Sequence, residues 1–282
     1  MLKQRVITAL VLVAILLPCL LLESPWPFAV LTLVFIGAAG WEWARLNGGH
    51  GVAAVALGGV IAAGGAIALV GGWLDAPRAP AIVGPLAALG WVLGGALVLR
   101  RGGAGWAAWP VALRWLIGMV VLWLAWAAMT RAKLIGLNFL LSVFCLVWAA
   151  DIAAYFGGRR FGRRKLAPAI SPGKSWEGVW SGLVGTWGLA ALWMALEQQF
   201  VFDSPSLYTL LLRQFGALGL LVSLSFLAAM SVVGDLFESL VKRQAGAKDS
   251  SRLLPGHGGV LDRIDALLPV FPLALYLVSL GA

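Results

Sequence analysis

Between Ser239 and Asp265 the chain reads Ser-Leu-Val-Lys-Arg-Gln-Ala-Gly-Ala-Lys-Asp-Ser-Ser-Arg-Leu-Leu-Pro-Gly-His-Gly-Gly-Val-Leu-Asp-Arg-Ile-Asp. The carboxylates Asp249, Asp262 and Asp265 stand beside the cations Lys242, Arg243, Lys248, Arg252 and Arg263. Hard oxygen donors next to cations that can hold phosphate suit Mg²⁺ and a phosphorylated substrate. Charges beside a bilayer are costly and are kept there for function. Asp262 and Asp265 are three residues apart where the last apolar stretch begins, so on a helix they share a face. They read either as a metal pair or as caps of that helix.

Asp235 and Glu238 repeat this spacing near the end of the preceding apolar stretch. Carboxylates at a helix C-terminus oppose its dipole, which calls for a compensating metal or cation. Glu238 also lies four residues before Lys242, the spacing of an ordinary helical ion pair. Asp235, deeper in the stretch, is the better metal candidate. In Pro255-Gly-His-Gly-Gly, Gly258 and Gly259 let backbone N–H groups approach phosphate oxygens. His257 reads as a phosphate contact, a proton shuttle or a structural loop residue.

A second constellation lies upstream: Asp151-Ile-Ala-Ala-Tyr-Phe-Gly-Gly-Arg-Arg-Phe-Gly, then Ile170-Ser-Pro-Gly-Lys-Ser-Trp-Glu-Gly. An intramembrane Asp151 needs a metal or cation partner. Ser171, Lys174 and Ser175 precede a helix and could form an anion site there. Ser175 and Glu177 could equally cap that helix. The spacing is not that of a Walker A loop. The cations Arg159–Lys165 read best as a basic patch facing lipid.

These residues need elements to position them, and the elements are membrane helices. Of 282 residues, 61% are hydrophobic and 12% charged, against about 25% charged in soluble domains. The expected class is all-α, a polytopic membrane protein. Nine stretches have the roughly twenty apolar residues that a span requires: 5–22, 27–45, 52–74, 81–99, 112–130, 134–157, 177–197, 209–234 and 260–280. No small-residue cleavage site follows the first, so it reads as a span rather than a signal peptide. Breaks fall at Asn47-Gly-Gly-His-Gly, Asp75-Ala-Pro-Arg-Ala-Pro and Arg100-Arg-Gly-Gly. Glycine within residues 52–99 should allow close helix packing. Cys19 and Cys145 sit in apolar runs and read as core residues. Glu42 reads as pairing with Arg45, and His50 as solvated.

With the N-terminus in the cytoplasm, all Lys and Arg except Arg78, Arg131, Lys133 and Arg213 fall on the inner side. The positive-inside rule favours that orientation, and it places loops 158–176 and 242–259 on the cytoplasmic face. Residues 1–110 read as a transmembrane scaffold and 111–282 as the catalytic region. The net charge of +9 reads as membrane orientation and attraction to anionic lipid, not as nucleic-acid binding.

Residues 239–265 resemble the signature of the phosphatidate cytidylyltransferases, the CDP-diacylglycerol synthases: Ser-x-apolar-Lys-Arg, Lys-Asp, then Leu-Pro-x-His-Gly-Gly-apolar-x-Asp-Arg-apolar-Asp. Asp151…Ala-Tyr…Gly-Arg and Ser-Pro-x-Lys-Ser-x-Glu-Gly fit the same family. Ala266 departs from it, since a small hydroxyl residue often stands there. The resemblance implies CMP transfer from CTP to phosphatidic acid, giving CDP-diacylglycerol and pyrophosphate. It implies Mg²⁺, a second monovalent cation such as K⁺, and a homodimer in the bacterial inner membrane with its site facing the cytoplasm. On that basis Asp235, Asp262, Asp265 and Asp151 are the expected metal ligands. Lys242 and Asp249 join Asp235, Asp262 and Asp265 as catalytic candidates. Ser171, Lys174, Ser175, Arg243, Lys248, His257, Gly258, Gly259 and Arg263 are the expected substrate contacts. A CTP-dependent polyprenol kinase and a transporter are the competing readings. A transporter should show repeats, whereas here polarity is concentrated in one half.

Overall fold

The computed structural model describes residues 2–75 and 82–281, with side chains from residue 4 onward. Arg78 with most of its Pro-containing break, and the side chain of Lys3, lie outside that description. Among the described residues the regular elements are helices apart from one short hairpin. Its elements are α1 (Leu2–Leu21), α2 (Trp26–Leu46), α3 (Gly51–Val70), α4 (Val83–Leu89), a π-helical turn at Gly90–Gly94, α5 (Gly95–Ala107), α6 (Val111–Ile135), α7 (Leu137–Phe161), β1 (Lys165–Ala167), β2 (Ser171–Ser175), α8 (Trp176–Gln199), α9 (Leu207–Gln244), α10 (Leu261–Ile264) and α11 (Leu267–Ser279).

Among the described residues, eight helices are long and apolar enough to cross a membrane, the stretch from Val83 to Ala107 counting as one. They match eight of the nine expected spans. The ninth, 260–280, is divided into the four-residue α10 and the 13-residue α11. At 1.5 Å per residue, α11 alone is shorter than a full crossing. Pro269 explains the division, because it has no N–H to donate to the carbonyl of Asp265 four residues earlier. The expected break at Arg100–Gly103 is a kink within α5, where Gly102 adopts φ +68°. α9 kinks likewise at Gly216 and then runs ten residues past the expected end of its span. Asp235, Glu238 and Lys242 therefore all lie on one helix.

Small residues set the helix seams, as expected for membrane packing. A Cβ at Gly58 in α3 would overlap the carbonyl of Gly37 in α2. In the α7–α8 pair, a Cβ at Gly182 would stand only 3.0 Å from the carbonyl oxygen of Ala150. The core runs through α2, α6, α7, α9 and α11, where Phe28, Trp43, Trp126, Phe139 and Phe271 are fully buried. α1 lies at its edge, with most of its apolar side chains exposed and Leu16, Cys19 and Leu20 packed against the core. Cys19 and Cys145 are free and half-buried.

Candidate functional site

Asp235, Glu238 and Lys242 occupy positions i, i+3 and i+7 of α9 and share one face. The α10–α11 junction brings Asp262 and Asp265 to that face. The approach depends on Gly234, whose Cβ would overlap the carbonyl oxygen of Asp265. β2 supplies Lys174 from the other side, held by antiparallel pairing of Lys165 with Ser175 and of Ala167 with Ser171.

Two ammonium groups organise four carboxylates. Lys242 Nζ lies 2.5 Å from Glu238 Oε2 and 2.6 Å from Asp262 Oδ1. Lys174 Nζ lies 2.6 Å from Asp235 Oδ2, and Ser239 Oγ donates to Asp235 Oδ1 at 3.2 Å. Asp265 accepts from its neighbouring Ala266 N–H at 2.7 Å and lies within electrostatic reach of Asp235 and Glu238. Glu238 is 1% exposed, and its Oε1 has no hydrogen-bond partner. Asp262 is the best satisfied of the four, with further donors at Ser250 N (2.9 Å), Ser250 Oγ (2.9 Å) and Gly259 N (2.7 Å). Burial works to raise the pKa of its carboxyl. The Lys242 ammonium and the Gly259 and Ser250 N–H groups prevail and hold it below the usual value.

Four carboxylates facing two ammoniums leave two negative charges if all ionise. That excess, the orphaned Glu238 oxygen and the all-oxygen donor set suit a hard divalent cation. Among the described residues, however, no three His, Cys, Asp or Glu side chains converge on one metal position. Lys242 and Lys174 stand between the carboxylates instead.

The other expected residues divide into distinct settings. Asp151 is exposed just past the middle of α7, within electrostatic reach of Lys174 and Asp235. Lys248, Asp249 and Arg252 are exposed. They line a separate cavity of about 900 Å³ with Trp41, Arg45 and His50. Arg243 reaches across to donate to the carbonyl of Ile170 at 3.4 Å, joining the two charged loops. Arg263 Nε donates to the carbonyl of His257 at 3.0 Å and so closes the Gly-rich turn. His257 is half-buried, with Nδ1 unpartnered. Gly258 packs against Asp262 and Asp249, and Gly259 against Ser250. Ser171 is half-buried on β2. Ser175 is the N-cap of α8, accepting from Gly178 N at 3.2 Å. Glu177 accepts from the backbone of Arg163 at 3.0 Å and Arg164 at 3.2 Å, tying the hairpin to α8.

Glu42 departs from its expected pairing with Arg45. Its side chain is fully buried and accepts from Ser250 Oγ, Ser251 Oγ, Val260 N and Leu261 N. Arg45 instead sets its guanidinium 4.7 Å from the centre of the Trp41 ring. The nearby Arg45 obscured Glu42 in the sequence. The signal that could have found it is the cost of a carboxylate inside an apolar helix, the same reasoning applied to Asp151. α1 also reaches the Gly-rich turn, where Thr8 Oγ1 donates to the carbonyl of Pro255 at 2.9 Å.

Comparison with known proteins matches residues 3–280 to the model of the cytidylyltransferase family. The chain is similar over its whole length to a phosphatidate cytidylyltransferase of Pseudomonas aeruginosa, at 41% identity with all of both chains covered. It is similar to one of Haemophilus influenzae at 41% identity, with 98% of each chain covered. A phosphatidate cytidylyltransferase of Bacillus subtilis shares 41% identity over 51% of this chain and 49% of its own. The charged helix ends of this bundle are thus those of a nucleotidyltransferase, and the chain belongs to the cytidylyltransferase family.

Proposed function

We propose that this protein is a phosphatidate cytidylyltransferase, transferring CMP from CTP to phosphatidate to give CDP-diacylglycerol and pyrophosphate. The carrying observation is full-length identity of 41% to the Pseudomonas aeruginosa protein of that name. The clustered carboxylates and cations supply chemistry consistent with it.

In this reading a phosphate oxygen of phosphatidate attacks the α-phosphorus of CTP. The new O–P bond forms as the bond from the α-phosphorus to the β-phosphate bridging oxygen breaks, and pyrophosphate leaves with that electron pair. A phosphate monoester is already ionised near neutral pH, so no side chain has to remove a proton. Catalysis then rests on positioning and charge neutralisation. Mg²⁺, held by Asp235 and Asp265 with Asp262 and Asp151 nearby, would neutralise charge on the phosphates. A monovalent cation such as K⁺ is proposed beside it.

Lys174 and Lys242 are close enough to those carboxylates to exchange between them and substrate phosphate. Lys248 and Arg252 place positive charge on the neighbouring cavity, which has room for a nucleotide. Arg243 and Arg263 keep the loops closed around the site. The protein is further proposed to act as a homodimer in the bacterial inner membrane, with the site facing the cytoplasm and acyl chains entering between helices. Its positive charge serves that orientation rather than nucleic acid.

The test is purified protein in detergent with phosphatidate, Mg²⁺ and CTP labelled at the α-phosphate. Label should enter the lipid, with release of pyrophosphate. Label leaving as CDP, with the γ-phosphate on the lipid, would establish the kinase reading instead.

A further inference from the structure

We infer that Glu42, on α2, is a positioning residue that fixes two backbone segments leading to the site's Asp262; the inference rests on the proposed function. Four donors meet its two oxygens, all more than 200 residues away in sequence. Oε1 accepts from Ser251 Oγ (2.5 Å) and Val260 N (3.0 Å). Oε2 accepts from Ser250 Oγ (3.1 Å) and Leu261 N (2.7 Å). One backbone N–H therefore faces each oxygen, and a backbone N–H can only donate. The site demands an acceptor at both atoms, which a carboxyl group provides and an amide does not. A glutamine would set its amide –NH₂ against a backbone N–H in either flip. Gly259 belongs to the same fit, since a Cβ there would overlap Glu42 Oε1 and Ser250 Oγ.

The bonds end on residues 250–251 and 260–261, which include the Asp262 donor Ser250 and directly follow the donor Gly259. Ser250 is the link. Its hydroxyl lies 3.1 Å from Glu42 Oε2 and 2.9 Å from Asp262 Oδ2, and its N–H donates to Asp262 at 2.9 Å. A hydroxyl has one proton, so it donates to one carboxylate at a time. Glu42 sets Ser250, Ser250 sets Asp262, and Asp262 with Glu238 sets Lys242. Glu42 has none of the marks of a metal or substrate contact: it is 0% exposed and its acceptor sites are filled by protein donors. A displacement of about 1 Å at a reacting centre can cost roughly 100-fold in rate, so a residue acting this way changes turnover more than binding.

The experiment uses full-length Glu42→Gln, Glu42→Asp and Ser250→Ala proteins in detergent, with CTP and phosphatidate kinetics normalised to folded protein. Glu42→Gln should lower kcat by at least about 10-fold while both KM values stay within about two-fold. Glu42→Asp, which keeps both acceptors, should recover part of that loss. Ser250→Ala should also lower kcat, and in the Glu42→Gln background should add less than it does alone. Wild-type kcat in folded Glu42→Gln overturns the inference. If Glu42→Gln fails to fold, Ser250→Ala decides: a lowered kcat supports the inference and a wild-type kcat overturns it. If the wild-type protein itself puts no label into lipid, the proposed function fails separately. Positioning is then judged by hydrogen exchange at residues 258–263, where unchanged protection in Glu42→Gln sinks it.

Discussion

The two ends of the helical bundle treat their carboxylates in opposite ways. At one end, where α8 stops and α9 starts, Glu197 is held entirely by neutral donors. Asn138 Nδ2 donates at 2.6 Å, Ser206 N at 2.7 Å and Ser206 Oγ at 2.8 Å, with Thr209 Oγ1 also bonded. Asp203 beside it accepts from the Leu137 and Asn138 N–H groups, tying the start of α7 to the loop before α9. At the other end, Asp235, Glu238 and Asp265 face ammoniums and one another, and Glu238 keeps an oxygen without a partner. A carboxylate whose acceptor sites are filled by neutral protein donors is a structural joint. One left short of donors is available to cations and to what they carry. Glu42 lies at the charged end but is satisfied in the manner of Glu197, which marks it as a support for the site.

Substitutions at the two ends should therefore fail differently. The largest effect is expected from Asp262→Asn, which removes the charge facing Lys242 and places an –NH₂ among four donors. CMP transfer to lipid should fall by at least about 100-fold while the protein stays folded by thermal denaturation. Near-normal turnover would dissolve the distinction between the two ends. Gly234→Ala comes next. Its added methyl must push Asp265 away from α9, and we expect kcat to drop by about 10-fold or more with modest loss of stability. A kcat within two-fold of wild type would show that the α9–α10 approach does not govern the chemistry.

Glu197→Ala tests the other end. It strands several donors and should cost about 1–3 kcal/mol of stability, read as a lower unfolding temperature, with kcat per folded molecule unchanged. A specific loss of kcat there would place function at both ends. Ser175→Ala is the smallest and sharpens the boundary within the charged end. If the residue serves only as the cap of α8, the change costs about 1 kcal/mol and leaves both KM values alone. A rise in KM for CTP would instead make it a substrate contact.

Much of the site could be read along the chain wherever partners are near in sequence. Glu238 and Lys242 pair at the helical spacing that the residues themselves suggest. Ser175 caps α8 as its position before Trp176 and Glu177 allows. Other features needed distant partners. Lys174 meeting Asp235 depends on a hairpin folding against α9. Glu42 misled because Arg45 offers a local partner three residues away, whereas its four donors lie on residues 250–261. The final span is divided because Pro269 leaves the Asp265 carbonyl without a helical N–H donor, something hydropathy alone does not register.

What the sequence by itself determined is the class of the protein and the chemistry of its reactive residues. Hydropathy over about twenty residues dictates membrane helices, since the bilayer leaves backbone groups no other partner. Residue type dictates which groups can hold phosphate and hard cations. What only the tertiary structure decided is which carboxylates are satisfied and which are left short. That depends on close approaches permitted by single glycines, such as Gly234 against Asp265 and Gly259 against Glu42, between segments far apart in the chain. A hydrogen bond requires placement to a few tenths of an ångström, and such placement belongs to the packed helices rather than to any local spacing.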